Sequence, residues 1–158
     1  MAIFLKYEGL DGEVTAVGYQ KWVECQSLQF GVGRGISIGS GGGSKREASA
    51  TSLSEFVITK TMDSFDQLML KEAIGGESKK VEIHITQTDG KGKNVAFQKY
   101  KLERVLISSY SLSSGGARPN ISASFSYAAI DSEYLNIDDK FASETTGHLT
   151  YDISKADV

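Results

Sequence analysis

FVITKTMDSFDQLMLKEAIGG, residues 56–76, begins as a β run and ends at helical spacing, and the fold is argued outward from it. Phe56, Val57, Ile58 and Thr59 have high β propensity and predict a strand. Ser64 with Gln67 three residues on forms a capping box, and Gly75 with Gly76 ends a helix predicted over about 64–75. Phe65, Leu68, Met69 and Ala73 share one helical face, which leaves Asp66, Lys71 and Glu72 for solvent. It is the one helix the pattern supports.

The flanking segments read as β structure. Ile3, Leu5 and Tyr7 alternate as an opening strand. Between Trp22 and Phe30 the apolar set changes parity, from Val23 and Cys25 to Leu28 and Phe30, which predicts a bulge or bend near Gln26 and Ser27. Val81, Ile83 and Ile85 alternate with Glu82, His84 and Thr86, a strand with one wet face. Asp89-Gly90-Lys91-Gly92 turns the chain. Tyr100, Leu102, Leu106, Tyr110 and Leu112 then keep one parity through a long or broken strand with a polar slip at Arg104. Pro119, the sole proline, sits in a break before Ile121, Ala123, Phe125 and Tyr127, whose opposite face is Ser122, Ser124 and Ser126. Asp131 to Gly147 reads as polar and irregular, and Leu149, Tyr151 and Ile153 as a closing strand. Seven or eight strands with hairpin-type turns and one helix predict a mainly β fold: an antiparallel barrel or two-sheet sandwich with a short lateral helix. The expected organisation is one domain over residues 1–158.

One stretch does not fit as a connector. Gly31 to Ser52 reads GVGRGISIGSGGGSKREASATS, far longer than the roughly 4–6 residues of an ordinary connection. Ile36 and Ile38 alternate with Ser37 and Gly39, placing branched apolar side chains in an otherwise flexible arm; such side chains seek a partner surface. The arm is expected to contact another subunit. The serine face, together with Ser109, Ser111 and Ser113, reads either as an ordinary exposed sheet or as a wall facing a channel or a neighbour.

Catalytic and ligand-binding patterns fail where they are tested. Gly39 would need glycine rather than Ser44 to open a phosphate loop, and the third glycine of a dinucleotide fingerprint would fall at Ile36. His84 and His148 lie on the presumed wet parity, far apart and outside any metal-ligand spacing. Cys25, the only cysteine, reads as a small buried hydrophobe. The carboxylates Asp131, Glu133, Asp138 and Asp139 read as a solvated loop without EF-hand spacing. No catalytic, cofactor-binding or metal residue is assigned, and no cofactor is expected. A net charge of -3 argues against a dedicated nucleic-acid binder. The N-terminus lacks a signal-peptide apolar region and no run of about 18 apolar residues occurs, so cytoplasmic assembly without membrane insertion is expected.

Five stretches in order resemble a known family: Phe4-Leu5-Lys6 with Gly9 to Gly12; Leu28-Gln29-Phe30-Gly31 before the glycine-rich arm; FVITKTMD at 56–63 with its helix; Val81 to Ile85; and LERVLISSYSLSSGG at 102–116. The chain resembles haemolysin-coregulated protein, Hcp, the inner-tube protein of bacterial type VI secretion, over the N-terminus to about Ile130. Phe30 stands where the family often has tryptophan, and Ser122 to Ile130 follows the family strand only loosely. The resemblance implies six-membered rings stacked into a hollow tube, with sheath, tip and effector proteins as partners and secretion through the type VI machine without a signal peptide. It gives the arm a role in stacking, with Val32, Arg34, Ile36, Ile38, Ser44, Lys45, Arg46 and Glu47 as contacts, and offers Ser122, Ser124 and Ser126 as a lumen or interface wall. It implies no enzyme activity. The competing expectation is a monomeric β-sandwich that binds carbohydrate or a receptor.

Overall fold

A computed structural model describes residues 1–39, 46–138, 140 and 142–156. In chain order the elements are β1 (Ala2–Tyr7), β2 (Val23–Cys25), β3 (Ser27–Gln29), β4 (Val32–Ile38), β5 (Arg46–Leu53) and β6 (Phe56–Thr61). The helix α1 (Phe65–Gly75) follows, then β7 (Lys79–Thr88), β8 (Asn94–Ser113), β9 (Asn120–Ser126), β10 (Ala129–Ile137) and β11 (Ser143–Asp152).

Two antiparallel layers share one long strand. The first runs β2-β1-β7-β8-β10-β11 and the second β8-β9-β6-β3. Strand β8 passes from one layer to the other at Arg104, whose φ is +52°, and β7 meets this kink with a register shift between Lys79 and Val81. A bulge that bends a strand and re-aims its side chains is the physical means of turning such a corner. A second corner lies at Gln26, where β2 of the first layer gives way to β3 of the second, as the parity change predicts. The pairing is that of a two-sheet sandwich.

The parity expected along β8 is corrected by these bulges. Leu102, Val105 and Ile107 are buried, whereas Leu106 and Leu112 are about half exposed, because the backbone slips at Arg104 and again between Ile107 and Ser109. Asp131 to Gly147 is likewise not irregular: β10 and β11 form a long hairpin through it.

The core joins Leu5 and Tyr7 of β1, Phe56 and Ile58 of β6, Phe65 and Met69 of α1, Val81 and Ile83 of β7, and Ile121, Ala123 and Phe125 of β9. Helix α1 runs where expected but is capped differently. The Ser64 side chain makes no cap hydrogen bond and instead donates to Glu13. Asp63 Oδ1 accepts from the Phe65 amide, and Asp66 Oδ2 accepts from the Asp63 amide. Asp66, expected in solvent, is fully buried, and Leu68 is exposed. The cause lies on β6: Lys60 continues the inward parity of Phe56 and Ile58, and its buried ammonium donates to Asp66 at 2.8 Å, Asp63 at 2.9 Å and the Thr61 carbonyl at 2.8 Å. Burying an ammonium at 0 % exposure is costly unless such partners surround it, so the helix start is drawn onto the sheet.

His84 is also buried. Residues 10–22 fold over the outer face of the first layer, so Tyr19 stacks on Phe4 and shares a 3.0 Å hydrogen bond with His84 Nδ1, while Glu82 lies 2.6 Å from Nε2. His148, by contrast, is exposed beside Asp131.

Candidate functional site

The Gly31 to Ser52 arm is itself a two-stranded antiparallel hairpin, β4–β5, forming a sheet of its own. Pairing is regular from Val32↔Leu53 to Arg34↔Thr51 and resumes at Ile36↔Ala48, so Ser49 and Ala50 bulge opposite Gly35. The Gly35 amide donates to Ser49 Oγ at 2.9 Å, and a Cβ at residue 35 would sit 2.7 Å from that oxygen; only glycine fits the bulge without displacing it.

Because β4 carries no extra residue, Val32, Arg34, Ile36 and Ile38 fall on one face of its pleat. Val32, Ile36 and Ile38 are 61 %, 64 % and 71 % exposed, an apolar row with one cation in it. Arg46 and Glu47 pair through their backbones with Ile38 and Ser37, while Ser44 and Lys45 lie outside the described residues.

The hairpin's root is fixed although its length is bare. The Gly31 amide donates to Ser54 Oγ at 2.6 Å, the Ser54 amide donates to the Gly31 carbonyl, and the Tyr127 hydroxyl donates to the Ser54 carbonyl at 2.8 Å. Phe30 stacks on Phe56 with centroids 4.4 Å apart and meets Tyr100 edge-on. Burial pushes the Tyr127 hydroxyl up to about 12, so it stays protonated and keeps donating at neutral pH. The sequence reading missed Phe30, Ser54 and Tyr127 as a unit because nothing in spacing joins residues this far apart.

The second surface is the outer face of the second layer. Strand pairing sets Ser27, Thr59, Ser122 and Ser111 side by side in one row, and Gln29, Val57, Ser124 and Ser109 in the next. Ser122 and Ser124 are half-buried at its centre, and Ser126 is exposed at its end opposite Leu106. Every residue in those two rows is uncharged. The outer face of the first layer differs: Lys6, Glu82, Lys101 and Asp131 stand in register across it. Small hydroxyls give one face a wet, unselective surface, and alternating charges give the other a specific one.

Chemistry-bearing groups elsewhere do not converge. Burial pushes the Cys25 thiol up to about 12, against the activation a nucleophile needs. A cleft of about 660 Å³ is lined by Glu13, Glu24, Asp63 and Arg118 among others, with the Arg118 Nε donating to the Met62 carbonyl at 2.7 Å. Glu13 is held below the usual carboxylate range, first by the Ser64 hydroxyl. Asp138 Oδ1 accepts from the Lys140 and Ala142 amides and serves a turn; Asp139 lies outside the described residues. Among the described residues no group of three or more His, Cys, Asp or Glu is arranged to hold a metal ion.

Comparison with known proteins agrees with the geometry. The family described as "Type VI secretion system effector, Hcp" matches residues 4–134. A solved structure described as that of a type six secretion system protein is 24 % identical, with TM-score 0.86 and coverage of 98 % of this chain and 97 % of that one. Hcp1 from Salmonella typhimurium is 16 % identical over 98 % of this chain and 95 % of its own, with TM-score 0.75. A type VI secretion system effector from Yersinia pestis is 16 % identical over 95 % and 98 %, with TM-score 0.72. No curated protein matches.

Proposed function

Since this chain belongs to the Hcp family of type VI secretion, we propose that it is a tube subunit: copies close into six-membered rings, and the rings stack into a hollow conduit. The observation that carries this reading is the β4–β5 hairpin, rooted by Phe30, Ser54 and Tyr127 yet left with Val32, Ile36 and Ile38 exposed among the described residues. Exposed apolar side chains favour a partner over water by about 25 cal/mol per Å² covered. The stacking contact comprises Val32, Arg34, Ile36 and Ile38, together with Ser44, Lys45, Arg46 and Glu47 later in the sequence.

The hydroxyl face with Ser122, Ser124 and Ser126 is the lumen wall in this reading. A wall without charge lets effector proteins of either sign pass or ride without strong adhesion. The subunit performs no turnover, assembles in the cytoplasm, is enclosed by sheath and tip proteins, and leaves through the machine itself rather than by a signal peptide. Light scattering combined with negative-stain imaging tests this: rings are expected, and a monomer at every concentration would overturn it.

A further inference from the structure

Strand β11 leaves a long edge bare. Among the described residues it pairs only with β10, runs ten residues from Ser143 to Asp152, and is exposed at every position through Thr150. The other terminal strands, β2 and β3, are three residues each. A long unpaired edge is a template for another strand. The stretch lies past residue 134, where the family match ends.

The β4–β5 hairpin has the complementary need. A two-stranded ribbon without a third strand or a packed face is marginal in water, and among the described residues its strands, seven and eight residues long, pair only with each other. The side chains agree with the lengths. Leu149 of the edge strand and Tyr134 of β10, which lies opposite Gly147, are 53 % and 49 % exposed, as Val32, Ile36 and Ile38 are on the hairpin. The charges agree too: residues 131–152 hold six carboxylates against Lys140, while residues 31–52 hold Arg34, Lys45 and Arg46 against Glu47.

We propose that the β11 edge is the docking site for the β4–β5 hairpin of a second copy of this chain, which adds to the first layer by strand pairing. The contact is head-to-tail, with one surface giving and another receiving, so it repeats from copy to copy. Backbone hydrogen bonds supply the pairing, Ile36 or Ile38 against Leu149 and Tyr134 supplies the apolar contact, and the opposite net charges steer the approach. This rests on the self-association proposed above and names the receiving surface.

Sedimentation velocity across a concentration series tests it with Leu149→Lys, Ile36→Lys and their combination, with Ile74→Lys on the 82 % exposed helix position as control. Each single change is expected to weaken association by about tenfold or more, the pair no further than either alone, and the control not at all. Hydrogen exchange on the unaltered protein gives a second readout: amides of 143–152 slow on assembly relative to the dilute chain. If the unaltered protein associates while the variants associate equally well, or while β11 exchange is unchanged, this docking site is wrong and self-association stands. Independent, multiplying effects of the two changes would place them in separate contacts and also overturn it. A chain that stays monomeric defeats both readings.

Discussion

The corner where β6 meets α1 and the hairpin β4–β5 are built on opposite terms. In the corner, Lys60 and Asp66 are fully enclosed and each polar contact is set by a neighbour. In the hairpin the backbone is paired and the root is pinned, but Val32, Ile36 and Ile38 face water. One region spends its side chains on holding a single conformation and the other keeps them for a second molecule. Substitutions in the two regions should therefore separate stability from assembly.

The largest effect is expected at the corner. Lys60→Ala strands Asp66 in the core, where Asp66 Oδ1 already lacks a hydrogen-bond partner among the described residues, and should lower unfolding free energy by about 3–5 kcal/mol in urea melts. Replacing Lys60 and Asp66 together by Met and Leu should recover most of that loss, since the cost lies in the uncompensated charge. At the hairpin's root, Phe30→Ala removes the stack on Phe56 and should cost about 1–2 kcal/mol because Phe30 is only partly buried.

Alkali sharpens the contrast from another side. Tyr7, Tyr19, Tyr127 and Cys25 are each pushed up to about 12 by burial, from 10 for the tyrosines and 9 for the cysteine. Below about pH 8 both folded and unfolded chains hold these protons, so they add no pH dependence. From about pH 8 for Cys25 and about pH 9 for the tyrosines, up to about 12, the unfolded chain releases them first, and stability falls by up to about 1.4 kcal/mol per pH unit for each group. Denaturant midpoints should be flat with respect to these groups up to about pH 8 and then drop.

The smallest effect on folding, with the clearest effect on assembly, is expected at Gly35→Val. Its side chain collides with Ser49 Oγ, displacing the hydroxyl that the Gly35 amide donates to and loosening the bulge, while monomer stability changes by under about 0.5 kcal/mol. Melting and sedimentation measured on the same sample would show whether the two properties separate.

Much of the fold was legible because most core strands keep one dry face. Ile3, Leu5 and Tyr7 and the Ile121 to Tyr127 run mark their strands by period alone. Of the β10–β11 hairpin only the end of β11 was legible, from Leu149 and Tyr151; β10 and the start of β11 were not, since most of their positions are wet and alternation vanishes. The buried charges of Lys60 and Asp66 were half legible: the parity of β6 points Lys60 inward, but only the folded corner shows which carboxylate receives it. His84 was misread because the loop that covers it comes from residues 10–22, which carry no strand signal. At the candidate site, the apolar alternation of Ile36 and Ile38 was visible in sequence, whereas the edge of β11 exists only once the strand order is known.

The central claim is self-association through bare surfaces, and its most direct measurement is the mass of the purified protein by sedimentation or light scattering, with particles viewed in negative stain. The account predicts annular particles of six times the 17.1 kDa chain mass, lengthening into stacks as concentration rises. A single species at 17.1 kDa across the whole series would contradict it.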